Sequence, residues 1–283
     1  MAVSLSEAKL GMNDSTTAFS LRALAWLYFS QGKYDKAEPL YERALVIYEK
    51  VLVSEHLSTA YTMNSLAILY KDQGKYDKAE PLYEWALAIH EKVSGSEHPD
   101  TATCLINLGV LYKVQSKYDK AKPLYERALA IHEKVSGSEH PNMATCLNNL
   151  GALYDEQGKN DKAEPLYERV LAIREKVLGT EHPFMATTLQ NLANIYNNQG
   201  KYDKVELLYE QALTINKKVL GAERPETART LYNLAFLYKR QNEYDKAKPL
   251  HKWALANQEK VLGSEHPHTA LFREALARCP CTV

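Results

Sequence analysis

One segment of the sequence, QGKYDKAEPLYERAL, recurs along almost the whole chain at a constant spacing of 42 residues. The copies begin at Gln31, Gln73, Gln115, Gln157, Gln199 and Gln241. Periods of roughly 20 to 50 residues are typical of arrays in which one small unit of secondary structure is stacked on the next. The sequence therefore predicts a repeat architecture rather than one or two globular domains.

The third repeat, residues 99–138, shows what each copy contains. Its first half predicts a helix from Pro99 to Gln115, because proline suits the first helical turn and Ser116 stands where other repeats carry glycine or asparagine, which end helices. Apolar residues at helical spacing mark the face that packs on a partner helix: Leu105, Leu108, Gly109 and Tyr112. The repeat thus begins with one amphipathic helix.

The second half of the same repeat predicts a second helix that begins at Tyr118 and Asp119 and ends at Gly137. Asp119 has the character of an N-cap, and sibling repeats add a glutamate three residues later, which resembles a capping box. Those glutamates are Glu38, Glu80, Glu164 and Glu206. Pro123 would then lie four residues after the cap and remove only the first hydrogen bond of the helix.

The run Leu105-x-x-Leu108-Gly109-x-x-Tyr112, followed by Ala121-x-x-x-Tyr125, resembles the tetratricopeptide pattern. The longer repeat, with YxxAEPLYxRALxIxEKVLGxxHP, resembles kinesin light chains and is equally similar to sensor ends of nucleotide-switch signalling proteins. The resemblance implies an all-α fold, a right-handed α-solenoid of stacked antiparallel helix pairs, with first helices on the inner wall. A single pair cannot bury its apolar face, so stacking supplies the core.

The repeats predict three regions. Residues 1–13 are expected to be a partial preceding helix or an N-terminal cap, residues 14–266 six repeats in one solenoid, and residues 267–283 a truncated seventh helix, with Arg273 and Pro280 at core positions, plus a tail. Two explanations of the truncated helix stay open, a C-terminal cap or a fragment of a longer array. Val53 and Leu57 replace a glycine and a proline, which predicts a looser first junction between repeats.

Composition excludes several classes of protein. Lysine plus arginine balance aspartate plus glutamate at 35 each, which predicts no binding to nucleic acid or to a membrane surface. No apolar stretch approaches the roughly 20 residues that span a bilayer, and the N-terminus does not resemble a secretory signal. Cys104 and Cys146 share one repeat position and are expected to be buried, reduced thiols in the cytoplasm. Cys279 and Cys281 are poor evidence for a metal site.

No catalytic motif is present, so we expect a protein that is not an enzyme and that carries no metal and no cofactor. A histidine recurs in the turn before the first helices, at positions 56, 98, 140, 182 and 266. One histidine per repeat is spread along the array and cannot converge on one ion. We expect these histidines to start helices.

Stepping about 100° per residue around the first helix places Thr103, Asn107, Val110 and Val114 opposite the apolar face, so this stripe should be open to a ligand. Asparagine recurs in it and beside it, and basic residues lie at the helix ends. The resulting candidate peptide-binding residues are Asn64, Asn107, Asn148, Asn149, Asn191, Asn194, Asn233, Lys71, Lys113, Arg229, Lys239 and Arg240. Asparagine can both donate to and accept from an extended backbone, and the resemblance implies that role. Alternatively, the asparagines hydrogen-bond neighbouring helices and order the stack.

We expect a non-enzymatic scaffold that binds an extended, acidic peptide with an aromatic or aliphatic anchor in its concave groove, because the predicted face combines amides, apolar positions and cations. The resemblance implies the same, since kinesin light chain repeats hold such cargo peptides. No heptad coiled coil is present, so no kinesin heavy chain is expected as a partner. The alternatives are a purely structural solenoid and the ligand-sensor segment of a larger nucleotide-switch protein.

Overall fold

The computed structural model describes residues 13–52, 55–137 and 139–278, and every regular element in these ranges is an α-helix. The thirteen helices alternate between the first and second helix of a repeat, and the last one begins a seventh repeat. In chain order they are α1 Ser15–Ser30, α2 Tyr34–Val51, α3 Leu57–Asp72, α4 Tyr76–Val93, α5 Pro99–Val114, α6 Tyr118–Ser136, α7 Pro141–Glu156, α8 Asn160–Leu178, α9 Pro183–Asn198, α10 Tyr202–Val219, α11 Pro225–Arg240, α12 Tyr244–Leu262 and α13 Pro267–Ala277.

Histidine caps the N-terminus of four first helices, as expected for a helix-starting residue. In α5, His98 Nδ1 accepts a hydrogen bond from the Asp100 backbone N–H at 3.1 Å, and Pro99 occupies the first helical position. The same bond is made by His56, His140 and His182. Each imidazole thus satisfies a backbone donor that the helix leaves unpaired.

A residue in the left-handed region ends the first helix in each of the six repeats and lets the chain reverse within three residues. Ser116 has φ 58° and Asn242 has φ 64°, while glycine fills this position in the other repeats. In the third repeat, the Lys117 N–H donates to the Tyr112 carbonyl at 2.8 Å, which closes the turn as a Schellman motif does. This predicted turn is confirmed, and it makes the two helices of a repeat antiparallel.

The second helix of the third repeat begins at Tyr118, as predicted, but its predicted N-cap, Asp119, is wrong by two residues. The N-cap of α6 is Lys117, without a side-chain capping bond, and Asp119 lies inside the first turn. The preceding left-handed residue already directs the chain into the helix, so no capping aspartate is required. The capping-box glutamates instead reach the following repeat: Glu38 accepts from Gln73 Nε2 at 3.1 Å and from Lys75 Nζ at 2.8 Å.

Pro123 consequently lies deeper in its helix than predicted, six residues after the N-cap instead of four. It is the sixth residue of α6 and is exposed. The ring removes a hydrogen bond to the carbonyl of Asp119, a residue that is exposed as well. Because the lost hydrogen bond lies on the solvent-exposed side of the helix, water can hydrogen-bond to the carbonyl and the helix continues.

The chain forms two compact bodies, an N-terminal body of residues Met1–Ser138 and a C-terminal body of residues Glu139–Val283. Within each body, the two helices of a repeat pack on each other and the second helix packs on the first helix of the next repeat. The predicted all-α fold of stacked helix pairs is confirmed in both bodies. That residues 14–266 form one solenoid stays a prediction.

A tyrosine from the second helix fills the core of each of the first five repeats. Tyr125 has no exposed surface, and its ring packs so closely on Gly109 that a Cβ at position 109 would lie 2.6 Å from the ring. The sibling tyrosines are at most 4% exposed: Tyr41, Tyr83, Tyr167 and Tyr209. His251 takes this place in the sixth repeat and is 1% exposed.

Polar clasps join successive repeats within each body. The Tyr70 hydroxyl donates to Glu42 Oε1 at 2.7 Å, and Gln199 Nε2 donates to Glu164 Oε2 at 2.8 Å. The hydrogen bond from Lys75 lowers the pKa of Glu38, and that from Gln199 lowers the pKa of Glu164. These carboxylates are therefore held in their charged form. Further lysine–glutamate pairs between residues 37 apart are exposed, so each contributes little to stability.

Several predictions concern the ends and the first junction. Some of the predicted features lie outside the described residues, namely residues 1–12, Val53, Pro280, and the pair Cys279 and Cys281. Leu57 begins α3 in place of the usual proline. Arg273 on α13 is exposed and donates to Glu259 Oε1 at 2.8 Å. No described helix combines the length and apolar character needed to cross a lipid bilayer.

Cys104 and Cys146 are buried free thiols, and burial raises the pKa of each to about 12. Because the thiolate is the reactive species, we expect both cysteines to be unreactive in the folded protein. Alkylation with iodoacetamide at pH 8, read by peptide mass spectrometry, should proceed at least about tenfold more slowly at both positions than in urea. Equal rates in the two conditions would contradict the burial of these thiols.

Candidate functional site

The first helices present an open face on the side away from their partner helix, as the sequence predicts. Thr103 and Val114 are exposed and Asn107 is half-buried, whereas Leu105 and Tyr112 on the other side are buried. We use the name open face for the surface formed by the repeat positions of Thr103, Asn107, Val110 and Val114, with the position before Asn107. The candidate asparagines all lie on it, half-buried: Asn64, Asn107, Asn148, Asn149, Asn191, Asn194 and Asn233.

Two pairs of asparagines bridge neighbouring first helices. In the N-terminal body, Asn107 Nδ2 donates to Asn64 Oδ1 at 3.0 Å. In the C-terminal body, Asn191 Nδ2 donates to Asn148 Oδ1 at 3.4 Å. These bonds support the alternative expectation that asparagines order the stack, and each leaves part of the amide available to a ligand.

Asn149 and Asn233 differ from those pairs, since neither side chain makes a hydrogen bond with another described residue. Asn233 lines a cavity of about 310 Å³ on the open face of the C-terminal body. The other lining residues are Asn194, Asn197, Tyr209, Tyr232, Phe236 and Leu237. We call this cavity the amide pocket. The Tyr209 hydroxyl at its base donates to Asn194 Oδ1, which turns the Asn194 amide group in a fixed direction.

A second cavity, of about 260 Å³, lies on the open face of the N-terminal body. It is lined by Phe19, Arg22, Ala23, Trp26, Tyr41 and Ser65. Trp26 is 62% exposed, and the guanidinium of Arg22 lies 5.5 Å from the centre of the Phe19 ring. An exposed indole beside a cation is a surface that can hold an apolar anchor and an acidic group together.

Phe19 and Tyr61 were not among the candidate residues, although a signal for them existed. They occupy the same repeat position as Thr103 and Arg229. Tyr61 donates to Asp100 Oδ2 at 2.7 Å, and this hydrogen bond raises the pKa of its hydroxyl to about 12. Extending the Thr103 position to every repeat would have identified both aromatic residues.

The candidate cations are distributed over three first helices. Lys71 and Lys113 are half-buried in the N-terminal body, and Lys71 pairs with Asp72 at 2.8 Å. Arg229 is exposed and Lys239 half-buried on α11. The C-terminal body therefore carries the cations nearest in sequence to Asn233.

Arg240, the last residue of α11, bridges to the preceding repeat. It donates to Asn197 Oδ1 at 3.2 Å and to the Tyr202 hydroxyl at 2.9 Å, and it stacks over the Tyr202 ring. Asn197 lines the amide pocket, so Arg240 places a positive charge at its border. The structure thus brings Asn194, Asn233 and Arg240 into one neighbourhood.

Two buried tyrosines, Tyr41 and Tyr209, line the two cavities of the open face. Burial raises the pKa of Tyr41 to about 12 and raises that of Tyr209 as well, so both phenols stay neutral at physiological pH. Within the described ranges, histidine, cysteine, aspartate and glutamate form no group of three or more that could hold a metal ion. The arrangement offers amide donors and acceptors, apolar wells and separate positive charges.

A sequence profile described as tetratricopeptide repeat matches the chain over residues 2–50, 16–92, 58–117, 109–176, 157–218, 185–260 and 226–281. No curated protein matches the sequence. Solved structures do match, and they include repeat proteins related to kinesin light chains.

BtubC (BKLC) from P. vanneervenii is 29% identical, with a TM-score of 0.65 over 78% of this chain and 87% of that one. A putative kinesin light chain from Podospora anserina, with nearly identical tetratricopeptide-like repeats, is 31% identical, with a TM-score of 0.61 over 72% of this chain and 97% of that one. A signal-transduction ATPase from Pyrococcus horikoshii with a tetratricopeptide repeat sensor is 17% identical and has a TM-score of 0.70 over 92% of this chain and 38% of that one. At that identity the likeness shows the fold alone.

Proposed function

Because the chain belongs to the tetratricopeptide repeat family and resembles kinesin light chain repeats, we propose that it is a non-enzymatic scaffold that binds an extended peptide segment of another protein along its open face. The repeats mark the chain as a protein–protein interaction scaffold. We further propose that the partner segment is an extended peptide, and we propose its chemistry and the residues that hold it. The two buried thiols suit a reducing compartment, and we place the protein in the cytoplasm.

The observation that carries the proposal is the pair of half-buried amides without a partner, Asn149 and Asn233. A polar group that is partly removed from water and left unpaired costs free energy, and a ligand that pairs with it recovers that cost. An asparagine amide can donate to a carbonyl and accept from an N–H of the same extended strand. These residues therefore suit the main chain of a peptide.

The positive charges and the apolar pockets of the open face suit acidic peptides with an apolar anchor. Arg229, Lys239 and Arg240 lie on the helix that carries Asn233, and the amide pocket adds Phe236 and Tyr232 as an aromatic wall. Lys71 is less available because Asp72 neutralises it. We therefore place the main peptide site in the C-terminal body, with Trp26 marking a separate apolar contact in the N-terminal body.

The asparagine pairs between helices favour the purely structural role for part of the candidate set. Asn64 and Asn107, and likewise Asn148 and Asn191, are used to join neighbouring first helices. That role applies to four residues and leaves Asn149 and Asn233 without a structural explanation. The sensor-segment alternative rests on a likeness of fold only.

We expect the double variant Asn149→Ala/Asn233→Ala to bind peptide about tenfold more weakly while remaining folded, because two hydrogen-bonding groups of roughly 0.5–1.5 kcal/mol each are removed. The probe is the tightest binder from an array of 12-residue peptides with acidic residues around tryptophan or leucine. Fluorescence polarisation of the labelled peptide gives Kd, and circular dichroism checks folding. Raising salt from about 50 mM to 500 mM should weaken binding further.

The matched control is Lys218→Ala/Lys260→Ala, which removes two exposed side chains from second helices. It should leave Kd unchanged. An unaltered Kd in the folded asparagine variant would refute the role of the amides. Failure of every acidic, apolar-anchored peptide to bind would refute the proposed class of partner and favour the structural role.

A further inference from the structure

On the surface formed by the second helices of the N-terminal body, an arginine closes the junction between the second and third repeats. In the N-terminal body, Arg127 on α6 donates to Glu91 Oε1 on α4 at 2.6 Å, and its other terminal nitrogen donates to the Ser96 carbonyl at 3.4 Å. The guanidinium thus joins a carboxylate and a backbone carbonyl of the preceding repeat. This junction shows how the chain itself binds a guanidinium between a glutamate and a backbone carbonyl.

The fifth repeat lacks that arginine. The position of Arg127 holds, in repeat order, Arg43, Trp85, Arg127, Arg169, Gln211 and Trp253. Gln211 on α10 faces the equivalents of Glu91 and Ser96, which are Glu175 and Thr180. The Glu175 side chain makes no ion pair or hydrogen bond with another described residue. A carboxylate and a carbonyl that bind a guanidinium two repeats earlier are therefore open here.

The same place is a cavity of about 670 Å³ between α8, α9 and α10, which we call the outer cleft. Its apolar lining comes from Leu171, Met185, Leu189, Leu207, Leu208 and Ile215. Its polar lining comes from Glu175, Thr180, Glu210, Gln211 and Thr214. The volume falls within the roughly 300–1,000 Å³ typical of ligand sites, and it exceeds what one missing arginine side chain would leave.

Leu207 adds apolar surface that the sibling repeats lack. It is 57% exposed, and the five other repeats carry proline at its position. The next junction is closed in another way, since Lys217 lies 4.3 Å from the centre of the Trp253 ring. The outer cleft thus combines an exposed leucine, an apolar floor and unpaired acidic groups.

We propose that the outer cleft docks a segment of another protein that carries an arginine beside a leucine-sized apolar side chain. The guanidinium pairs with the Glu175 carboxylate and the Thr180 carbonyl, as Arg127 does with Glu91 and Ser96. The apolar side chain fills the well beside Leu207. Arginine is preferred over lysine because its planar group can donate to two acceptors at once, and Glu210 adds a second negative charge. This site is distinct from the open face and selects the opposite charge.

The test uses a variant that the sibling repeats themselves suggest. Gln211→Arg supplies an internal arginine that should occupy the Glu175 carboxylate and the Thr180 carbonyl, while Glu175→Gln removes the charge with little change of shape. The probe is an array of 12-residue peptides that contain Arg-Leu, compared with the same peptides containing Lys-Leu or Arg-Ser. The full chain should retain the Arg-Leu set best, and each variant should raise the Kd of the best peptide at least tenfold.

The controls separate this site from the others. Glu91→Gln, at the closed junction, and Asn149→Ala/Asn233→Ala, on the open face, should leave the Kd unchanged. Thermal unfolding should show that Gln211→Arg is folded, and Glu175→Gln gives an independent reading if it is not. Retention of no Arg-Leu peptide, or binding that survives Glu175→Gln, would overturn the proposal. So would a dimer in analytical ultracentrifugation that Gln211→Arg dissociates, because the occupant would then be a second copy of the chain.

Discussion

Replacing Tyr125 with alanine is expected to lower the free energy of unfolding by about 3–5 kcal/mol, the range found when a large buried aromatic ring is truncated. Tyr125 has no exposed surface and packs directly on Gly109 of the partner helix. The ring fills the space between the two helices of the third repeat. Its removal leaves a cavity that the neighbouring helices close only in part.

Urea denaturation followed by circular dichroism measures this loss. Trp85→Ala is the matched control, because Trp85 is a large aromatic residue of a second helix that is 52% exposed, and its removal should cost less than about 1 kcal/mol. A loss below about 1 kcal/mol for Tyr125→Ala would show that the core of the third repeat does not depend on this ring.

The stability of the folded chain is expected to fall between pH 6.5 and pH 4 because His251 is buried in its neutral form. Burial, reinforced by the positive charge of Lys239, lowers the pKa of His251 from 6.5 to about 4. Neither ring nitrogen has a hydrogen-bond partner among the described residues. Between pH 6.5 and pH 4, His251 is protonated in the unfolded chain but remains largely neutral in the folded chain. The folded state is thus fully stabilised above pH 6.5 and loses up to about 3 kcal/mol as the pH falls to 4.

His251→Phe isolates this contribution, since phenylalanine keeps a ring against Tyr232 and does not titrate. The difference in unfolding free energy between the chain and the variant should shift by up to about 3 kcal/mol from pH 7 to pH 4. Part of the acid sensitivity will remain, because burial also lowers the pKa of His90. The carboxylates Glu38 and Glu164, whose pKa is lowered from 4.5, change the stability only below pH 4.5, outside most of this window. A difference that is constant with pH would contradict the prediction.

The helical faces could be predicted from the sequence because each depends on neighbours within one helix. The left-handed position of Ser116 and Asn242 was likewise evident, since the other repeats carry glycine there, the residue that best accepts that backbone region. Asp119 was misassigned because the pattern of aspartate followed by glutamate matched a capping box. The turn that precedes the helix makes Lys117 the N-cap, and the bond that Glu38 makes to Gln73 of the next repeat is not visible within one repeat.

The candidate site was predictable only to the level of a helix face. The pairing of Asn64 with Asn107 depends on how two first helices lie side by side, which a single helical projection does not contain. The outer cleft was missed for a related reason. Gln211 is one substitution in one repeat. Its consequence, a glutamate left without an arginine, can be recognised only by comparison with the contact of Arg127 with Glu91.

The clasps between repeats have a consequence for how such a gene can change length. Gln73 bonds Glu38, 35 residues earlier, and Gln199 bonds Glu164 at the same separation. Recombination between two copies removes or adds 42 residues, so each remaining glutamine keeps its separation of 35 residues from the acceptor position of the preceding repeat, which holds glutamate in four of the six repeats. A deletion of any other size would strand a glutamate without its glutamine. The number of copies is therefore free to vary under selection, while the spacing within each copy is not.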